Sequence, residues 1–357
     1  MPLSHRENYL RTADLSRHSP PPDHIPINVV ISGASWDQLR GDLEDVLARH
    51  PVFFPGFQKG RHDYSRARFG PANRAEEHFT DAWGCTWYGA IDGIEGQVVG
   101  HPLDDWAKLD GWRPPDPLTT ADRGPADWEA ARRRIAEAKA RGDLASGGLA
   151  HGFLFMRLSY LRGFENLMLD LAAAEPRLDD LIRLLNAHNK AIVGQWLSMG
   201  VDVVGFPEDL GTQTASVVGP KHFSRYLAPA YRELMAPVRA AGAHVHMHSD
   251  GYILDIADLL LDCGVTILNP QDLCNGIDAL ARELKGRVCI DLDVDRQSVV
   301  PFGTAKSIHD LVEEEVRKLG SPRGGLMMIV GIYPPTPAEN VDALLSAFEE
   351  FRTFWWD

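Results

Sequence analysis

The sequence predicts an α/β protein, an eight-stranded (β/α)8 TIM barrel, on three observations. Apolar segments of strand length alternate with amphipathic helical segments along most of the chain, a pattern that implies parallel pairing and strands buried on both faces. Seven or eight such strand-helix units fit into the 357 residues, the length of one large barrel. The dinucleotide-binding Gly-x-Gly-x-x-Gly does not follow an early strand, which weighs against the alternative of an open doubly wound sheet serving a nicotinamide cofactor.

The elements follow in order. Residues 1–24 form a polar, proline-rich leader with no apolar core of a signal peptide. A single catalytic barrel domain is expected over residues 25–357. Ile25–Ile31 reads as the first strand, closed by Gly33, and residues 35–50 have helical spacing (Trp36, Leu39, Leu43, Val46, Leu47). Residues 51–130 are rich in Gly, Pro, Asp and Trp and read as a large loop-rich insertion, a kind of segment that usually carries function. Residues 126–141 read as a charged helix and His151–Leu161 as a strand. Helices are expected at 164–174 and 177–199, divided by Pro176, then a strand at Val201–Phe206 and a helix at 220–241. The remaining strands are expected at 243–248, Val265–Leu268, Val288–Leu292 and Leu326–Val330. The helices between and after them are at 252–263, 276–284, 304–319 and 337–354.

The strand at 243–248 carries the strongest chemical signal. In Ala243-His-Val-His-Met-His-Ser-Asp-Gly251 three histidines and an aspartate occupy every second position, so in an extended strand His244, His246, His248 and Asp250 share one face. One such histidine is more often a satisfied core group. Four polar groups in register are costly to bury without a task. Chemistry in a barrel sits at the carboxyl ends of strands, which selects Arg157, Glu208, Asp209, His248, Asp250, Asn269, Asp291, Asp293 and Tyr333. Asp272 and Asp293 have an equally good reading as helix caps. Aromatic Trp83, Trp87, Tyr88 and Tyr333 are candidate walls of an apolar pocket, with ordinary loop packing as the bland reading.

Composition bounds the partners. With 44% hydrophobic and 24% charged residues the chain is of the globular class. A formal net charge of −14 excludes nucleic acid and an anionic membrane surface as natural partners. No apolar run reaches the length of a membrane span, so the expected location is the cytoplasm. Cys85, Cys263, Cys274 and Cys289 form no C-x-x-C pair, which argues against a dithiol redox site or a cysteine zinc knuckle.

These residues resemble a known family. Asp81-Ala-Trp-Gly-Cys85, Leu161-Arg-Gly-Phe-Glu-Asn166, Glu208-Asp-Leu-Gly-Thr-Gln213, Gly219-Pro-Lys-His-Phe223, His248-Ser-Asp-Gly251 and Asn340 within Pro337-Ala-Glu-Asn-Val341 are similar to segments of the uroporphyrinogen decarboxylase superfamily. That superfamily also contains zinc- and corrinoid-dependent methyltransferases. The resemblance runs from about Asp81 to Phe351 and implies a TIM barrel, often a homodimer, with its site at the carboxyl mouth. Two departures shape the reading. The arginine-rich segment by which the decarboxylases hold a polyacidic porphyrinogen is replaced by Ile31-Ser-Gly-Ala-Ser-Trp36, so uroporphyrinogen is not the expected substrate. The methyltransferases' His-x-Cys zinc pair falls on His248 and Asp250, and their last cysteine falls near Ile332.

The resemblance therefore implies zinc or another divalent metal held by His248 and Asp250, completed by His246 or Glu208. His248, Asp250 and Asp209 are the catalytic candidates; Trp83, Arg157, Gln213, Asn269 and Tyr333 are the substrate-binding candidates. The expected activity is methyl transfer between a small O-, N- or S-methyl compound and a corrinoid. A corrinoid-binding Asp-x-His-x-x-Gly is absent from the chain, which puts the corrinoid on a partner protein. The alternatives are a metal-free decarboxylase acting on an aromatic or heterocyclic acid, and a non-catalytic barrel subunit.

Overall fold

The computed structural model describes residues 3–121 and 123–357, and these cluster into two compact units. Ten strands are formed among them: β1 (Ile27–Ile31), β2 (His78–Thr80), β3 (Thr86–Tyr88), β4 (Gln97–Gly100), β5 (Ser146–Gly148), β6 (Val203–Glu208), β7 (His244–Ser249), β8 (Ile267–Pro270), β9 (Cys289–Asp293) and β10 (Leu326–Ile332).

One unit comprises residues up to Glu77, Gly89–Gly96 and Gln271–Asp357. Its strands run parallel in the order β1-β10-β9, with Ile27 opposite Met328 and Leu326 opposite Ile290. β9 is buried at every position and β10 at all but one, as expected of parallel strands covered on both faces. Thr304 and Ser307 form a reciprocal capping box that starts the helix Ala305–Leu319, and this helix lies against Ala338–Phe351. The polar leader is not loose: His5–Ala13 is a helix capped by Ser4, and it buries Asn8 and Thr12. Of the two suspected caps, Asp272 accepts the N–H groups of Leu273 and Asp295, while the helix starting at Val299 is capped by Asp295 rather than Asp293.

The other unit comprises His78–Tyr88 and Gln97–Pro270. Its parallel strands run β5-β6-β7-β8, and a separate antiparallel sheet β2-β3-β4 lies in the segment expected to be irregular. Val245 and Met247 are fully buried, and the helix Ala228–Ala240 packs on β7 through its apolar stripe of Tyr231, Leu234, Met235 and Val238. Pro176 sits in the first turn of the helix Pro176–Ser198, where its missing N–H costs nothing.

One element is corrected. His151–Leu161 is not a strand; the strand is β5, and residues Phe155–Arg162 form a helix. The buried face of this short helix includes two arginines beside Phe155, Leu158 and Leu161, while apolar Met156 and Tyr160 lie on its half-buried side, so its apolar run carries no helical period to distinguish it from a buried strand.

Candidate functional site

The site is built from the carboxyl ends of β5 to β8. Along β7 the burial alternates without a break, with His244, His246 and His248 on the less buried face and Val245, Met247 and Ser249 on the buried one. The histidines thus share a face, as the spacing predicted.

His248 is fixed from behind. Its Nδ1 lies 2.6 Å from Oδ1 of Asn269, the residue opposite it on β8. An amide oxygen only accepts, so Nδ1 carries the proton and Nε2 is directed elsewhere. Nε2 lies 3.3 Å from Oδ1 of Asp250 and 3.9 Å from Oδ1 of Asp209. The same Asp209 oxygen is 3.2 Å from Nε2 of His151, and the two imidazole rings are 5.9 Å apart. Burial works to lower the pKa of His151, but the Asp209 carboxylate beside it outweighs that and raises the imidazole above its usual value, against the charge of His248.

Backbone approach brings the two aspartates together. The loops after β6 and β7 touch at Gly211 and Gly251, where the Gly211 N–H donates to the Asp250 carbonyl at 3.1 Å. A Cβ on Gly251 would stand 2.3 Å from the carbonyl carbon of Gly211, and Gly251 has φ +80°. Only glycine serves there. The Leu210 N–H donates to Oγ of Ser249 at 2.8 Å, which ties the residue after Asp209 to the one after His248.

Ligand atoms of His151, Asp209 and His248 all lie within 4.8 Å of one another. Donors about 2.0–2.2 Å from a tetrahedral zinc ion stand about 3.3–3.6 Å apart, so the set needs only small side-chain adjustment to close on an ion. Two imidazoles and a carboxylate, partly open to solvent, are the donor chemistry of an open catalytic zinc site. No thiol joins it among the described residues. Cys263 and Cys289 are buried, which pushes the first up to about 11 and the second well above its usual value.

The structure therefore gathers His248, Asp250, Asp209 and Asn269. His246 lies two positions back on the same face, opposite Gly205 and Ile267, outside the group that His151 completes. Glu208 is fully buried, and its oxygens accept the N–H groups of Leu154, Phe155 and Met156 at 2.7, 2.6 and 3.1 Å. Burial nonetheless pushes Glu208 up to about 7, against the pull of those donors. Arg157 and Trp83 meet each other: the guanidinium lies 4.6 Å from the indole centre and 3.6 Å from the Asp81 carboxylate, and both residues are buried. Asp81 also accepts the N–H groups of Trp83 and Cys85 and the Trp87 indole N–H. Gln213 stands exposed in the loop after β6. Tyr333 belongs to the other unit and stacks under Arg296, 5.6 Å from guanidinium to ring centre.

His151 is the residue that sequence reasoning missed. It follows β5, whose Ser-Gly-Gly sequence carries no strand signal. A visible clue was its place in His151-Gly152, at a turn just after an Ala-Ser-Gly-Gly-Leu segment bounded by helical patterns.

Comparison with known proteins agrees with this architecture. The chain matches a methyltransferase from Methanosarcina mazei with a TM-score of 0.65 and 18% identity, over 98% of this chain and 99% of that one. A B12-independent methionine synthase from Shewanella sp. W3-18-1 matches with a TM-score of 0.43 and 11% identity, over 64% of this chain and 66% of that one. No curated protein matches. The α/β, TIM-barrel-like fold expected from the sequence is thus the fold of the methanosarcinal methyltransferase. Among the described residues no helix is long and apolar enough to cross a membrane. The model of the family described as uroporphyrinogen decarboxylase (URO-D) matches residues 82–351, most of the chain, and the protein belongs to that family.

Proposed function

We propose that the protein is a metal-assisted methyltransferase, moving a methyl group between a small O-, N- or S-methyl compound and a corrinoid held by a partner protein. The observation that carries this reading is the clustering of ligand atoms of His151, Asp209 and His248 within 4.8 Å of one another, with Asn269 orienting His248 from behind. These three residues would hold the ion. A zinc-type ion supplies Lewis acidity toward the heteroatom that bears or receives the methyl group.

The chain's own residues do the rest. Asn269 holds the proton on Nδ1 of His248 and leaves the Nε2 lone pair to ligate. Asp250, 3.3 Å from that nitrogen, is placed to take or return the heteroatom's proton. Arg157, a candidate carboxylate grip, is committed to Asp81 and Trp83 beneath the surface.

The test supplies purified protein with zinc, cob(I)alamin as a surrogate for the carrier, and a panel of methyl ethers, methylamines and methyl thioethers. Formation of methylcobalamin, followed by its visible spectrum and lost in His248→Ala, supports the reading; no turnover with any class of donor counts against it.

The contact of the His151 imidazole with the Asp209 carboxylate at 3.2 Å, which suits a proton donor, favours a second reading, a metal-free carboxy-lyase for an aromatic or heterocyclic acid. There the C–C bond to the carboxylate breaks, CO2 leaves, and the electron pair left on carbon takes the His151 proton. CO2 release by chelator-treated protein selects it.

A further inference from the structure

We infer that Glu208 is a positioning residue that sets His151 against Asp209. The inference rests on the reading that His151 belongs to the working group. Three backbone N–H groups at the start of the helix Phe155–Arg162 need acceptors, and its N-cap, Leu154, has no side-chain oxygen to offer. Glu208, fifty-two to fifty-four residues away in sequence, accepts all three, and the Tyr231 hydroxyl donates to it at 3.4 Å. A serine or aspartate at position 154 would cap the helix locally. The remote carboxylate instead ties the loop to the strand whose next residue is Asp209.

The rest of the loop is zipped to the same strand. The Leu149 N–H donates to the Gly205 carbonyl and the Gly152 N–H to the Pro207 carbonyl, each at 2.9 Å. Asn189 holds the Phe153 carbonyl at 2.9 Å from the helix behind. Gly152 turns the chain with φ +72°. His151 is the exposed residue of this otherwise buried segment, and its imidazole meets Asp209 at 3.2 Å. One strand end therefore delivers two carboxylates, one that fixes the loop and one that meets the imidazole the loop carries. Both Glu208 oxygens are occupied by backbone donors, so it acts through His151 rather than as a ligand itself.

The experiment compares wild type with Glu208→Gln and Glu208→Asp. In metal-free protein, the rate at which diethyl pyrocarbonate acylates His151 is followed by peptide mass spectrometry. It rises several-fold in Glu208→Gln, whose amide N–H2 faces a backbone donor, and less in Glu208→Asp, which keeps a carboxyl group and covers the case in which the glutamine variant does not fold. An unchanged His151 rate overturns the inference whether or not metal binds. Zinc affinity supplies the readout that a purely structural role would not move. Glu208→Gln weakens binding about tenfold or more in the wild-type background and not at all in the His151→Ala background. Equal loss in both backgrounds overturns the inference. If wild type binds no zinc but His151 labelling responds as described, the inference stands and the metal reading falls.

Discussion

Replacing Asn269 with alanine removes the acceptor that faces Nδ1 of His248 at 2.6 Å, from a residue only 3% exposed. Two costs follow from that geometry. The first is to stability: a largely buried ring N–H left without its partner costs about 1–3 kcal/mol. The second is to metal binding. The imidazole keeps its place in the chain but loses the bond that sets its tautomer and ring orientation, and losses of this kind weaken metal affinity about 10–100-fold. At ~1.4 kcal/mol per decade that is about 1.4–2.8 kcal/mol. The assay is competition for zinc between the protein and a chromophoric chelator at fixed neutral pH, with urea unfolding of the same samples to measure the stability term. Asn269→Asp keeps an acceptor at the same place and adds charge that raises the imidazole's basicity, so it binds zinc at least as tightly as wild type. If Asn269→Ala binds as tightly as wild type, or if Asn269→Asp loosens as much as Asn269→Ala, Asn269 does not orient His248 and the argument is wrong.

Three other outcomes are expected. Arg157→Ala lowers stability by about 3–5 kcal/mol in denaturant titration, because Arg157 and Asp81 are both buried and the guanidinium also covers Trp83; a loss under ~1 kcal/mol would show that this pair is dispensable. Gly251→Ala costs about 1–3 kcal/mol of backbone strain at φ +80°, and its Cβ, 2.3 Å from Gly211, pushes the two aspartate-bearing loops apart, so zinc affinity falls with stability; a variant with unchanged affinity contradicts the close approach. Glu315 is fully buried, with neither N–H nor hydroxyl of the described residues on its oxygens, and lies against Asp272, so burial first and Asp272 second raise its pKa well above the usual value. A raised folded-state pKa gives a contribution fully present below the ordinary carboxylate range and lost as pH rises through the raised value. Glu315→Gln therefore flattens the alkaline decline of the urea midpoint, and an unchanged pH profile rules this out.

Parts of the site were legible in the sequence for reasons now visible. β7 announces itself because its two faces meet different surroundings, apolar helix on one side and the polar group on the other, and that difference is written at every second residue. Asp209 and Asn269 could be singled out because they stand at the carboxyl ends of β6 and β8, where parallel sheets usually carry chemistry. β5 stayed hidden because packing requires its side chains to be absent: a Cβ on Gly147 would stand 2.2 Å from the Trp196 ring, and one on Gly148 would stand 2.9 Å from the Gly205 carbonyl oxygen. A strand made of glycines has no periodicity to read, and His151 was lost with it. The β2-β3-β4 sheet was hidden because its strands are three or four residues long, too short for an alternation to emerge. Glu208 was visible as a strand-end carboxylate, but its donors lie on a helix that the pattern did not separate from a strand, so its role could not be read locally.

The central claim is that His151, Asp209 and His248 form one metal-holding group. Anomalous diffraction at the zinc absorption edge, on crystals of protein purified without chelator and supplied with zinc, tests it most directly. The account predicts one ion per chain, about 2.0–2.2 Å from Nε2 of His151, from Nε2 of His248 and from an oxygen of Asp209. A zinc-free site in such crystals, or an ion held by His248 and Asp250 with His151 turned away, would contradict it.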